Sequence, residues 1–360
     1  MNEDCLKLTT YFGERDRVPG GFLADALLDI YERRAFQTSV LLRGAEGFGI
    51  KHRLQTQRLL TLSEDLPLVS VAVDTRERIE ASVEEVLAVS GHGLLTLERA
   101  RMLTGAIGPV ALPEDMRKEA TKLTVYVGRQ ERAGGRPAYL ELVELLHRSG
   151  ISGATVLLGV DGTAHGERRR ARFFSRNAHV PLMIISVGDG ARIAEVVPRL
   201  GELLPRGLAT LERVRVLKRD GRRLAEPQPV PATDASGRAL WQKLMVYVSE
   251  QAHHGQRPVY VELIRRLREQ GAAGATALRG VWGYNGDHAP HGDRFWSLRR
   301  HVPVVTVVVD SPENIRRWWE LVDELTASSG LVTSEIVPAF RATGPDGEHG
   351  GLDVAAPWDG

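Results

Sequence analysis

Lys7-Leu-Thr-Thr-Tyr11, Lys122-Leu-Thr-Val-Tyr126 and Lys243-Leu-Met-Val-Tyr247 are three versions of one alternating segment, and their spacing organises the 360-residue chain. Offsets of 115 and then 121 residues (122 − 7 and 243 − 122) carry the register onward to Leu42-Arg-Gly44, Leu157-Leu-Gly159 and Leu278-Arg-Gly280. Self-similarity at a fixed period is the signature of one unit rebuilt several times.

Working outward from these anchors, each repeat reads as the same series of elements. Arg136-Pro-Ala-Tyr-Leu-Glu-Leu-Val-Glu-Leu-Leu-His147 and Arg257-Pro-Val-Tyr-Val-Glu-Leu-Ile-Arg-Arg-Leu267 have proline in the first turn and apolar residues at spacings of three and four. Gly150 or Gly271 then stops the pattern, so both are predicted helices. A short strand follows (Thr38–Leu42, Ala154–Leu158, Ala275–Arg279), then a polar, glycine-containing loop, then a longer apolar strand beginning Leu66-Pro, Val180-Pro or Val302-Pro. Asp74 and Asp310 head segments with the acidic start of an N-capped helix. Each unit closes with a strand: Gly93-Leu-Leu-Thr-Leu-Glu98, Gly207-Leu-Ala-Thr-Leu-Glu212 and Gly330-Leu-Val-Thr-Ser-Glu335.

The expected order is β-α-β-β-α-β, and the expected class is α+β, with three tandem ferredoxin-like domains. Helices would cover one face of each sheet, and the bare faces would pack together in a single-chain pseudo-trimer. The boundaries follow as 5–103, 121–219 and 241–341 for the repeats, with linkers 104–120 and 220–240. The Pro- and Gly-containing tail 342–360 is expected to be disordered.

Bulk properties narrow the function. Lys plus Arg at 47 against Asp plus Glu at 46 leaves a net charge of +1, so no global field attracts nucleic acid or an anionic membrane. The single cysteine, Cys5, excludes an intrachain disulfide and a multi-cysteine zinc site. No signal-peptide pattern opens the sequence and no apolar run approaches the ~20 residues of a spanning helix. A cytoplasmic protein is the expectation.

Leu41-Leu-Arg-Gly-Ala-Glu-Gly-Phe-Gly49, Leu62-Ser-Glu-Asp-Leu-Pro-Leu68 and Val73-Asp-Thr75 closely resemble the domain-of-unknown-function family 190, a relative of the PII signalling proteins. The third repeat keeps Gly274-Ala-Thr-Ala-Leu-Arg-Gly-Val-Trp-Gly-Tyr284, and the second keeps Gly153-Ala-Thr-Val-Leu-Leu-Gly159. The resemblance implies a PII-like trimeric assembly in which long loops, here about 44–64, 160–178 and 281–300, report the occupancy of clefts between units. It implies a small anionic ligand, with an adenine nucleotide as candidate. Through relatives that neighbour fluoride-exporter genes it also implies a protein partner, with a membrane transporter or ion channel as candidate.

The candidate anion site rests on Arg43 and Arg279 at the loop starts, Arg58, Arg172 and Arg294 near the loop ends, and the adjoining Gly44, Gly159 and Gly280. Guanidinium groups hold phosphate or carboxylate bidentately, and glycine lets a backbone come close to an anion. The same arginines would serve equally as ion pairs between repeats. Glu167-Arg-Arg-Arg-Ala-Arg-Phe-Phe-Ser-Arg176 mixes cations with aromatics, which suits either base stacking or an amphipathic core-facing segment; the second is preferred. His253, His254, His288, His291 and His301 lack zinc-ligand spacing, so no metal site is expected. Cys5 has no histidine beside it, and no catalytic residues are assigned. The functional expectation is a PII-like sensor binding a small anion between repeats; the alternative is a ligand-free interaction module.

Overall fold

The computed structural model describes residues 2–49, 55–56, 65–105, 107–110, 119–164, 167–168, 180–285, 290–292, 302–344 and 347–353. Twelve strands carry the fold, four per repeat. The first repeat supplies β1 (Asn2–Gly13), β2 (Thr38–Arg43), β3 (Pro67–Thr75) and β4 (Gly93–Gly105). The second supplies β5 (Ala120–Gly128), β6 (Gly153–Ala164), β7 (Pro181–Asp189) and β8 (Gly207–Arg219). The third supplies β9 (Trp241–Ser249), β10 (Ala275–Arg279), β11 (Pro303–Asp310) and β12 (Leu331–Val337).

The helices lie outside these strands. They are α1 (Leu23–Arg33), α2 (Arg76–Glu80), α3 (Val83–Val89), α4 (Ala138–Arg148), α5 (Gly190–Leu203), α6 (Val259–Glu269) and α7 (Pro312–Leu325). Local chemistry starts the longest two. Asp189 accepts a hydrogen bond from the Ala191 amide at 3.0 Å, and the Ser311 hydroxyl accepts one from the Asn314 amide with Pro312 in the first turn. Asp310 is a buried hub instead of a cap, accepting from the Trp318 indole at 2.9 Å and the Ala273 amide at 3.0 Å.

The expectation of three separate ferredoxin-like domains meeting as a pseudo-trimer is corrected by the strand pairing. Eight strands from the first two repeats close into one antiparallel barrel, in the order β1, β3, β2, β6, β7, β5, β8, β4 and back to β1. The third repeat's sheet is stitched onto it: β12 pairs with the far end of β8, and β10 pairs with the short strand Glu46–Phe48. The cause is strand length. β4 and β8 each run 13 residues, past the end of their own sheet, so Gly207–Leu211 can pair with Arg101–Gly105. Fused ladders satisfy edge N–H and C=O groups that independent domains would leave open.

Strands also extend into the first linker and the tail. The segment read as a linker from 104 begins inside β4, and the tail holds a hairpin, Ala339–Gly344 with Gly347–Gly351, whose first strand pairs with Gly93–Leu97 of β4. The period-2 alternation divides the apolar residues between cores. Leu6, Leu8 and Phe12 face the helices of the first repeat, whereas Cys5 belongs to a central cluster shared by all three repeats, with Val71, Met183, Met245 and Val307. Each repeat keeps its own helix-covered core around this shared centre.

Candidate ligand cleft and central charge ring

At the centre of the strand network the same alternation turns six charged side chains inward. Lys7, Lys122 and Lys243 come from the first strand of each repeat, and Glu98, Glu212 and Glu335 from the last. They form an alternating ring. Lys7 Nζ lies 2.6 Å from Glu98 and 2.5 Å from Glu212. Lys122 lies 2.9 Å from Glu212 and 2.5 Å from Glu335. Lys243 lies 2.9 Å from Glu335 and 2.7 Å from Glu98. Every lysine bridges a glutamate of its own repeat and one of another, and every glutamate accepts both bonds on one oxygen, Oε2.

None of these side chains is more than 9% exposed. Burial pulls the Lys7 and Lys243 pKa values down, but the facing carboxylates outweigh it and both are raised; for Lys122 burial wins and the pKa falls. Burial pushes Glu98 and Glu335 up, yet the lysines around them hold both below the usual carboxylate range. The three carboxylates have ligand atoms within 4.8 Å of one another, a spacing a cation would accept. Three ammonium groups already stand between them, so the cluster is electrically complete and is read as structural. On the same inward face, burial pushes the Cys5 thiol pKa up, which keeps it a poor nucleophile.

A cleft between the first and third repeats encloses about 150 Å³. Tyr11, Phe12 and Phe48 give it apolar walls from one side, and Ala273–Thr276 with Val307 line the other. Asp16, Asp65 and His92 supply polar atoms at its rim. Their placement follows from turns. Asp16 accepts from the Gly13 amide at 2.8 Å and Asp65 from the Arg15 amide at 3.0 Å, fixing the chain where β1 leaves the sheet. Thr343, on the C-terminal hairpin, reaches the cleft because it pairs with Gly93.

Of the residues expected from the sequence, Arg43, Arg279 and the three glycines are described, and none of them lines this cleft. Arg43 donates to Glu14, with Nη2 2.7 Å from Oε2, and Arg279 is ion-paired with Glu250, so each guanidinium meets a carboxylate of its own repeat. Gly44, Gly159 and Gly280 sit where strands cross. A Cβ on Gly44 would stand 2.6 Å from the Pro67 ring and 3.2 Å from Thr276; on Gly159, 2.6 Å from the Pro181 carbonyl; on Gly280, 2.9 Å from that of Pro303. Close backbone packing accounts for these glycines. Arg58, Arg172 and Arg294 lie outside the described residues, as do His288, His301 and most of the three long loops. The starts of those loops are strands that pair with a neighbouring repeat. Among the expected histidines, His253 bonds the Gln251 carbonyl at 2.6 Å.

In the sequence Lys7, Lys122, Lys243, Glu98, Glu212 and Glu335 mark strand positions, and nothing local shows that they meet. The available signal was a charge at the same inward parity in all three repeats.

One family model recurs along the chain in step with these repeated strands. The family described as Uncharacterized ACR, COG1993 (DUF190) matches residues 5–102, 120–216 and 241–339. The chain belongs to the DUF190 family. A UPF0166 protein of Aquifex aeolicus is 32% identical over 94 residues, covering 26% of this chain and 88% of that protein. The UPF0166 protein MJ1524 of Methanocaldococcus jannaschii is 33% identical over 88 residues, covering 24% of this chain and 80% of that protein. Both relatives are thus about one repeat long, and this DUF190 chain carries three such units in tandem. Among the described residues no helix is long and apolar enough to cross a membrane.

Proposed function

We propose that this DUF190 chain is a non-catalytic sensor or regulatory protein that takes one small ligand in the cleft between its first and third repeats. The observation that supports the reading is that the two walls belong to different repeats, so an occupant would bridge them and favour one fit of the joint over another. Apolar walls with a few convergent polar groups are the usual make-up of a small-molecule site. The carboxylates of Asp16 and Asp65 favour hydrogen-bond donors such as the amino group or ribose hydroxyls of a nucleoside. A phosphate tail would have to point away from these carboxylates.

The test is a thermal-shift series with adenosine, adenine nucleotides, bicarbonate and fluoride at two salt concentrations, on the natural chain and on Gly49→Phe. Gly49 lines the cleft and an added Cβ there meets nothing within 4 Å, so a phenyl ring should narrow the cleft mouth without forcing neighbouring residues apart. A ligand at one hundred times its Kd should stabilise the folded state by about 2.7 kcal/mol. That shift should vanish in Gly49→Phe. A flat response across the series would remove the sensor reading in favour of an interaction module working through protein contacts alone.

A further inference from the structure

We infer that the described residues present one ligand-accessible cleft, between repeats one and three, and that the chain's own polypeptide seals the two equivalent positions among them. The inference rests on the binding role proposed above for that cleft but makes a separate claim about the other two. Equivalence is fixed by register: Tyr11 pairs with Leu94, Tyr126 with Leu208 and Tyr247 with Leu331, so Gly93, Gly207 and Gly330 mark the same place in each repeat.

Two independent features separate the three places. The first is the length of the strand that crosses from one repeat to its neighbour. Between repeats one and three, Glu46–Phe48 makes three residue pairs with Ala275–Ala277. At the other joints, Gly159–Ala164 makes five pairs with Thr38–Leu42, and Trp282–Asn285 makes four with Gly153–Val156. The shorter crossing stops before Gly274, which is left half-exposed; its counterparts Thr38 and Gly153 are paired and buried.

The second feature is where the chain goes after the last strand of each repeat. After β4 it folds Ile107 over the second joint: the Ile107 carbonyl sits against Gly201, and its Cδ1 lies 3.3 Å from a Cβ built on Gly207. After β8 it makes a tight turn at Asp220–Gly221 over the third joint, with the Asp220 amide 2.8 Å from the Gly330 carbonyl. A Cβ on Gly221 would stand 2.5 Å from the Ala327 carbonyl, so that turn is seated directly on the repeat beneath. After β12, by contrast, the chain enters a hairpin whose first strand, Ala339–Gly344, pairs beside Gly93 and whose second, Gly347–Gly351, returns along the first, with nothing within 4 Å of a Cβ added at Gly347. The rim chemistry has diverged in step. Where the open cleft has His92 and Asp16, the second joint has Arg206 and Glu131 and the third has Ser329 and Ala252.

Single cysteines at Gly274, Thr38 and Gly153, each in a Cys5→Ala background, test the sealing without any ligand. A small maleimide should alkylate the folded Gly274→Cys protein about 100-fold faster or more than the other two, which need local opening before they react. Comparable rates at all three sites would overturn the inference. Native mass spectrometry of the unmodified chain with adenosine is the companion measurement: at most one adenosine per chain is expected, and two or three would also overturn it. If labelling is confined to position 274 while adenosine neither binds nor protects that cysteine, the single open cleft stands and the nucleoside reading above fails.

Discussion

Replacing Lys122 with methionine removes the cation shared by Glu212 and Glu335 from the buried ring. Two lysines then face three carboxylates, leaving one uncompensated negative charge among side chains that water scarcely reaches. Breaking a buried pair by deleting one partner costs on the order of 3–5 kcal/mol, because the stranded charge has lost both solvent and counter-ion. Against the usual 5–15 kcal/mol of total stability this is a large fraction. The same deletion at the exposed Arg136, paired with Glu144 at 2.8 Å, should leave stability nearly unchanged, because water screens that pair. The assay is urea unfolding followed by circular dichroism and by tryptophan fluorescence, which reports the third-repeat core through buried Trp318 and Trp319.

Two further features mark the mechanism. Adding Glu335→Gln to Lys122→Met restores charge balance, so the double variant should recover 1–3 kcal/mol of the single variant's loss, roughly the size of a contact coupling. The stranded carboxylate can also escape by taking up a proton, so the deficit of the single variant should shrink between pH 7 and pH 5. A loss below about 1 kcal/mol for Lys122→Met, no larger than at an exposed pair, would refute the reasoning. Unchanged stability on adding Glu335→Gln would do the same.

The unmodified chain should be acid-sensitive. Glu98 and Glu335 have folded-state pKa values below their unfolded ones, so their contribution is complete above the unfolded value of about 4.3 and disappears as pH falls through the lowered folded values. Melting temperature should therefore hold above about pH 5 and drop below it. Gly159→Ala, which drives a Cβ to 2.6 Å from the Pro181 carbonyl, should destabilise by about 1–3 kcal/mol, whereas Gly49→Ala, facing open space, should stay within about 0.5 kcal/mol. Truncation before Ala339 strips the partner from Gly93–Leu97 of β4, and the exposed edge should drive self-association visible in sedimentation velocity.

The threefold repeat, the element order and the helix positions were legible from residues 7–11, 122–126 and 243–247 and the registers they set, because hydrophobic period and capping chemistry are local properties. The repeat ends near 103 and 219 are legible in the same way, but the joining of sheets across them is not. Whether a strand such as β4 stops with its own sheet or runs on to Gly105 and pairs with Gly207 depends on an edge offered by residues a hundred positions away. For Arg43 and Arg279 the sequence shows charge without its neighbour. Only the fold places Glu14 beside Arg43 and Glu250 beside Arg279.

The sequence by itself determined which residues alternate inward, and so that a lysine and a glutamate of every repeat face the centre. Tertiary structure alone decided that these six meet as one closed ring, that eight strands of two repeats share a barrel, and that the chain departs differently from each repeat to cover two joints and leave one open. Those outcomes are set by hydrogen-bond completion at strand edges and charge balance at a buried centre, both conditions on distant residues taken together, and no local pattern records them.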